Sequence, residues 1–178
     1  AGFRFHPMYY DEPVLVSKAN AAMWDAIDEL GAVVQFHMFP EHAPQIATIA
    51  QKHPSVPLIV DHLAYPQVAE SPGFATHAPV IALSRFPNIY VKVSDVPRRS
   101  EEQFPYGDVI PYIKQVHEAF GADRMLWGTG YPGSLRERYG WPTLADELRL
   151  IRDGYDWLTT SEKDQLLGGT AMAVWGLH

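Results

Sequence analysis

Two histidines close apolar runs in this chain: residues 32–37 read AVVQFH and residues 57–62 read PLIVDH. If both runs are strands, His37 and His62 stand at the carboxyl ends of neighbours about 4.8 Å apart. Imidazoles so placed can converge on one cation at about 2.1 Å each, or bracket one substrate oxygen. The plainer alternative ties each histidine to its own loop. Lys92 sits inside NIYVKVSD, where an ammonium must be paired, reach solvent or lose its proton. It predicts either a site for a substrate carboxylate or phosphate, or an ion pair with a carboxylate on an adjacent strand. Arg4 and His6, in GFRFH, and Ser94 carry the same double reading. Arg136 and Arg138 lie in a loop that can gather an anionic substrate or simply be solvated. His42, His53, His77 and His117 are read as surface or packing residues.

These side chains need elements to position them. Five apolar runs, 2–6, 32–37, 57–62, 88–95 and 124–130, are each followed by a helix-like stretch. Ala19, Ala22, Met23, Ala26, Ile27 and Leu30 repeat at helical spacing and stop at Gly31. Residues 46–53, 80–86, 109–120 and 144–151 supply further helices, and 131–140 read as a loop. Thr159 with Glu162 predicts a capping box, and Thr170 a cap for a last turn to Trp175.

Residues two apart on a strand share a face. Arg4 with His6, Gln35 with His37, and Tyr90 with Lys92 and Ser94 oppose Phe3 with Phe5, Val34 with Phe36, and Ile89 with Val91 and Val93. The third strand breaks the pattern, because Asp61 and His62 fall on opposite faces. A doubly wound sheet is covered on both faces and is apolar on both, whereas a barrel puts its helices outside and can line its interior with polar groups. The predicted fold is therefore α/β, a (β/α) barrel of TIM type forming one domain over residues 1–178, with helices on the Val and Phe side. A flavodoxin-like open sheet fits the strand count, but no GxG follows the first strand.

The 178 residues are 47% hydrophobic, enough for a sizeable core, so disorder is excluded. A net charge of -7 with scattered Lys and Arg argues against nucleic acid as a partner. The absence of cysteine rules out thiolate metal sites. No apolar stretch suits a membrane span, and a cytoplasmic location is the default expectation. The chain opens in a strand pattern at Ala1 without methionine, which is expected of a chain cut upstream. Five strands out of eight would leave two free edges. The expected partners are a small-molecule substrate and either further copies of the chain or an N-terminal segment that completes the barrel.

VVQFH, VDHLAYP, NIYVKVS, FGADRMLWGTGYP and GGTAMAVWGL together resemble the amidohydrolase superfamily, specifically its amidohydrolase-related group of lactonases and decarboxylases. The resemblance runs nearly the whole length and implies strands four to eight of the barrel, the first strands being missing. It also implies a hydrolase of small carboxylated, lactone, ester or amide substrates, with His37 and His62 binding a divalent metal, usually zinc, or polarising a carbonyl where, as in some lactonases of this kind, no metal is bound. Two departures stand out. The family's first-strand HxH is absent, and its aspartate in GTDYP is Gly130 here. Asp95, one strand earlier, is the local carboxylate that can replace it as the third catalytic residue, with Arg4, His6, Lys92, Ser94 and Arg136 holding substrate. The alternative is a catalytically degenerate barrel that only binds.

Overall fold

The computed structural model describes residues 1–131 and 135–177. Five strands, β1 (Gly2–Phe5), β2 (Val33–Phe36), β3 (Leu58–Val60), β4 (Ile89–Val93) and β5 (Met125–Trp127), form one sheet in sequence order. Every pairing is parallel. Sequential order without a reversal belongs to a barrel; a flavodoxin-like sheet would reverse around its first strand. The molecule is a partial barrel, and each strand is shorter than its apolar run because the terminal polar residues leave the ladder.

The helices are α1 (Ala21–Glu29), α2 (Ala43–Lys52), α3 (Ala78–Ile81), α4 (Ile110–Phe120), α5 (Leu135–Tyr139), α6 (Leu144–Arg149), α7 (Thr160–Asp164) and α8 (Thr170–Trp175). Trp24 and Ile27 of α1, Ile46 and Ile49 of α2, and Ile113 and Val116 of α4 bury against Val34, Phe36, Leu58, Val60, Ile89 and Val91. The helices of this core cover the Val and Phe face, as alternation predicts. At about 1.5–3 kcal/mol for each fully buried large aliphatic or aromatic side chain, this outer layer is the main source of stability.

Three local expectations are corrected. The stretch 131–140 holds the short helix α5; Pro132, Gly133 and Ser134 lie outside the described residues. The helix expected over 80–86 is α3 followed by a tighter turn at Ala82–Arg85. Thr170 caps nothing, because wide turns at Gln165–Gly169 lead without a break into α8, and its hydroxyl donates to the Ala122 carbonyl at 3.1 Å instead. The Thr159 and Glu162 capping box forms as expected.

One helix departs from the single-face rule. Ala171, Val174 and Trp175 of α8 pack on Val33, Ile59 and Leu126, on the inner face near the strand amino ends. Gly2 on β1 is required there: a Cβ would lie 2.5 Å and 2.7 Å from Trp175 ring atoms. Among the described residues, no helix is long and apolar enough to cross a membrane.

Candidate active site

Above that apolar layer the inner face turns polar. Arg4 and Gln35 are register partners on β1 and β2, and Lys92 projects from β4 on the same face. Lys92 Nζ lies 2.5 Å from Asp61 Oδ1 and donates to Gln35 Oε1 at 2.8 Å. Arg4 Nε donates to Asp61 Oδ2 at 2.6 Å. Asp61 is fully buried, and two cations share its carboxylate. Burial alone would raise that carboxyl; Lys92, then Arg4, more than offset it and hold it below the usual carboxylate range. The ion-pair reading of Lys92 is the observed one, and sequence reasoning missed Asp61 as its partner.

Asp61 and His62 were expected on opposite faces, yet both reach Arg4. The reason is that β3 ends at Val60, and His62, Leu63, Ala64 and Tyr65 follow with φ of 54°, 57°, 55° and 60°. Four consecutive non-glycine residues in the left-handed region cost on the order of 1 kcal/mol each. The turn is held by the Tyr65 N–H donating to the His62 carbonyl at 2.9 Å and by burial of Leu63 and Ala64. It swings the His62 ring inward and brings Tyr65, which sequence reasoning also missed, back over the strand ends.

His62 is then locked. Arg4 Nη2 is 3.1 Å from His62 Nε2, and a guanidinium only donates, so Nε2 carries the lone pair and Nδ1–H donates to Ser94 Oγ at 2.9 Å. Burial, with Lys92 and Arg4 adding to it against Asp61, pulls His62 down to about 4. His37 is placed by β2, its N–H donating to the Phe5 carbonyl at 2.9 Å. Its Nδ1 lies 3.0 Å from His6 Nδ1, and its Nε2 is in hydrogen-bond contact with Tyr65 Oη. Burial, then Arg4 and His6, lower it to about 4, so both rings are neutral at pH 7. Their centroids are 5.5 Å apart at 79°.

A metal does not fit this pair as it stands. Each lone pair that could ligate one is engaged, on Arg4 for His62 and on Tyr65 or His6 for His37. Among the described residues no three His, Asp or Glu side chains converge on a cation position.

Asp95 follows β4 with φ 57°, 9% exposed, 3.7 Å from Arg98. Burial raises its carboxyl, against Arg98, Arg99 and Arg136. A Cβ placed on Gly130 would lie 3.5 Å from Asp95 Oδ1, so this carboxylate stands beside the space that a side chain at 130 would enter. Arg136 is corrected: it is 7% exposed, paired with Glu147 and donating to the Pro142 carbonyl at 2.6 Å, which leaves it no role as a free anion collector. The arginines at the rim are Arg98 and Arg99, the latter stacked 4.6 Å over the Tyr65 ring. His77, taken for packing, is buried against Tyr112.

A parallel sheet in sequence order with helices on its outer face defines a (β/α)-barrel protein, and its polar cluster lies at the carboxyl ends of the strands, where barrel enzymes carry their sites. The sequence profile of the family described as Amidohydrolase matches residues 1–177, and the chain belongs to that family. It is 30% identical over 131 residues to an L-fucono-1,5-lactonase of Burkholderia ambifaria, covering 71% of this chain and 42% of that protein. It is 24% identical over 106 residues to a 4-sulfomuconolactone hydrolase of Rhizobium radiobacter, covering 60% and 35%. The chain thus spans less than half the length of these curated relatives. In fold it is similar to an amidohydrolase from Burkholderia multivorans crystallised with zinc, with TM-score 0.84, 20% identity, and 99% of this chain and 64% of that chain covered. A putative 2-pyrone-4,6-dicarboxylic acid hydrolase from Pseudomonas putida gives TM-score 0.79, 22% identity and coverages of 99% and 63%.

Proposed function

We propose that this barrel hydrolyses a small cyclic ester that carries a negative charge. The carrying observation is the charge of the rim. Arg4, Lys92, Arg98 and Arg99 face Asp61 and Asp95, four cations to two carboxylates, in a chain whose net charge is -7. An anion is drawn to that spot and repelled by the rest of the surface. His37 and His62, neutral and with both ring nitrogens of each engaged, are positioning residues that hold Arg4, Ser94 and Tyr65 at the rim. Arg4, His6, Lys92 and Ser94 orient the bound group, and Asp95 is the carboxylate that takes a proton from water. The names of the two curated relatives, both lactone hydrolases, support a lactone over an amide.

Zinc, which the Burkholderia multivorans structure holds, would need the His62 lone pair released from Arg4, so no step is routed through a metal. A barrel that only binds is the second reading, favoured by Gly130; the carboxylate beside that position favours catalysis.

The test compares a carboxylate-bearing lactone with its uncharged analogue, following acid release at pH 7. The expected result is turnover with at least a tenfold preference in kcat/KM for the anion. No turnover of either, or equal turnover of both, contradicts the proposal.

A further inference from the structure

His6, His37 and Tyr65 make one hydrogen-bonded line that runs from solvent to the buried rim. His6 is half-buried, stacked on exposed Tyr9, and borders a hollow of about 470 Å³ beside β1. Its Nδ1 meets His37 Nδ1 at 3.0 Å, and His37 Nε2 meets Tyr65 Oη. Tyr65 is 8% exposed, walled by Phe39 and His62 and covered by the Arg99 guanidinium.

Two facing Nδ1 atoms share one proton, so the protonation of each ring fixes the other's. With the proton on His6, His37 accepts at Nδ1, its Nε2–H donates to Tyr65 Oη, and the Tyr65 hydroxyl is free to donate onward. With the proton on His37, its Nε2 is a bare acceptor and Tyr65 donates back to it. The line therefore has two states, and they differ in whether the phenol can give its proton to something else. His62 is not part of it, because Arg4 and Ser94 hold its ring in one tautomer.

On the lactone-hydrolase reading given above, we infer that Tyr65 is the general acid for the leaving oxygen, resupplied with protons from solvent through His37 and His6. Water oxygen bonds to the carbonyl carbon and its proton passes to Asp95. The ring C–O bond breaks, its electron pair stays on the ring oxygen, and the Tyr65 proton goes there. His37 Nε2–H refills Tyr65, His6 Nδ1–H refills His37 Nδ1, and His6 Nε2 takes a proton from solvent. The proton that Asp95 gained returns to solvent, which balances the count; the line then stands in its second state, and exchange of the His6 and His37 ring protons with solvent returns both rings to the first tautomers before the next turnover. Burial pushes the Tyr65 phenol up to about 12, so it holds its proton at neutral pH. The left-handed turn at 62–65, costly in itself, is what carries Tyr65 to His37.

The experiment is Tyr65→Phe in the full chain, assayed on a carboxylate-bearing δ-valerolactone, whose leaving group is an alkoxide, and on a carboxylate-bearing dihydrocoumarin, whose leaving group is a phenoxide. A general acid matters where the leaving group is poor. The expected result is a loss of about 100-fold or more in kcat on the first and less than about threefold on the second. Equal losses on both, or none, overturn the acid role, since a merely structural tyrosine would not sort substrates by leaving group. If the unaltered chain hydrolyses neither, the function proposed above fails and the acid role with it. Nitrogen-15 spectra of the imidazoles test the line independently of turnover. One shared Nδ1 proton between His6 and His37, with the His37 signals displaced in Tyr65→Phe, supports it; both Nδ1 atoms protonated at pH 7 overturns it.

Discussion

The inner face of this sheet has two layers built on opposite rules. Near the strand amino ends, Val33, Ile59 and Leu126 meet Ala171, Val174 and Trp175 of α8, an apolar contact. Near the carboxyl ends, Arg4, Gln35, Asp61, Lys92, His62 and Ser94 are bound together by directional hydrogen bonds and ion pairs, and His37 is bound beside them to His6 and Tyr65. The lower layer gains stability from area removed from water and tolerates change in proportion to volume. The upper layer gains little net stability from its charges, because their desolvation offsets their attraction, and it is intolerant of losing either partner of its buried ion pairs. On the lactone-hydrolase proposal the residues that converge at the strand ends are the ones placed for chemistry, and those below seal the inner face.

The largest effect that would break this contrast concerns Asp61. Asp61→Ala leaves Arg4 and Lys92 without a counter-charge. It is expected to cost about 3 kcal/mol, the low end for a broken buried pair because Arg4 can reach water. A denaturant midpoint shift worth under about 1 kcal/mol would show that the cations do not depend on it. In the lower layer Trp175→Ala should cost about 2 kcal/mol, less than a fully buried tryptophan because its ring is partly exposed, again read from the denaturant midpoint. If it cost nothing, α8 would not be sealing the inner face.

The same contrast is sharpened by acid. His37 and His62 are pulled to about 4, below the ordinary value near 6.5. Between those values the unfolded chain binds protons that the folded chain refuses, so stability rises with pH there. Midpoints measured at pH 7.5 and pH 4.5 should show the chain weaker in acid, and His37→Gln and His62→Gln should each flatten the difference. An acid response unchanged in both variants would place the titrating groups elsewhere. The smallest expected effect lies outside both layers: Thr159→Ala removes an N-cap and should cost about 1 kcal/mol in the same unfolding measurement.

What was legible in the sequence follows from period. Alternation in 2–6, 32–37 and 88–95 separates the two faces and puts Arg4, Gln35, Lys92 and Ser94 together before any coordinates. The Thr159 and Glu162 spacing announces its cap; Thr143 and Asp146 carry the same signal three residues apart, form the same box, and were passed over. Period fails where a strand stops. Nothing in DHLAY, which has neither Gly nor Asn, marks a left-handed turn, and so Asp61 and Tyr65 stayed invisible as members of the site. Arg136 was misread because its partner Glu147 comes from the next helix, eleven residues on. Ala171, Val174 and Trp175 do form a stripe at helical spacing, but a stripe shows only that a helix buries one side and leaves open which face of the sheet receives it.

One paired measurement tests the division between layers most directly: kcat and unfolding midpoint for His37→Asn and Val174→Ala, each beside the unaltered chain. The account predicts that His37→Asn loses about 100-fold or more in lactone turnover with its midpoint at pH 7 nearly unmoved, while Val174→Ala lowers the midpoint and keeps its kcat. Equal loss of turnover in both, or full turnover in His37→Asn, would contradict it.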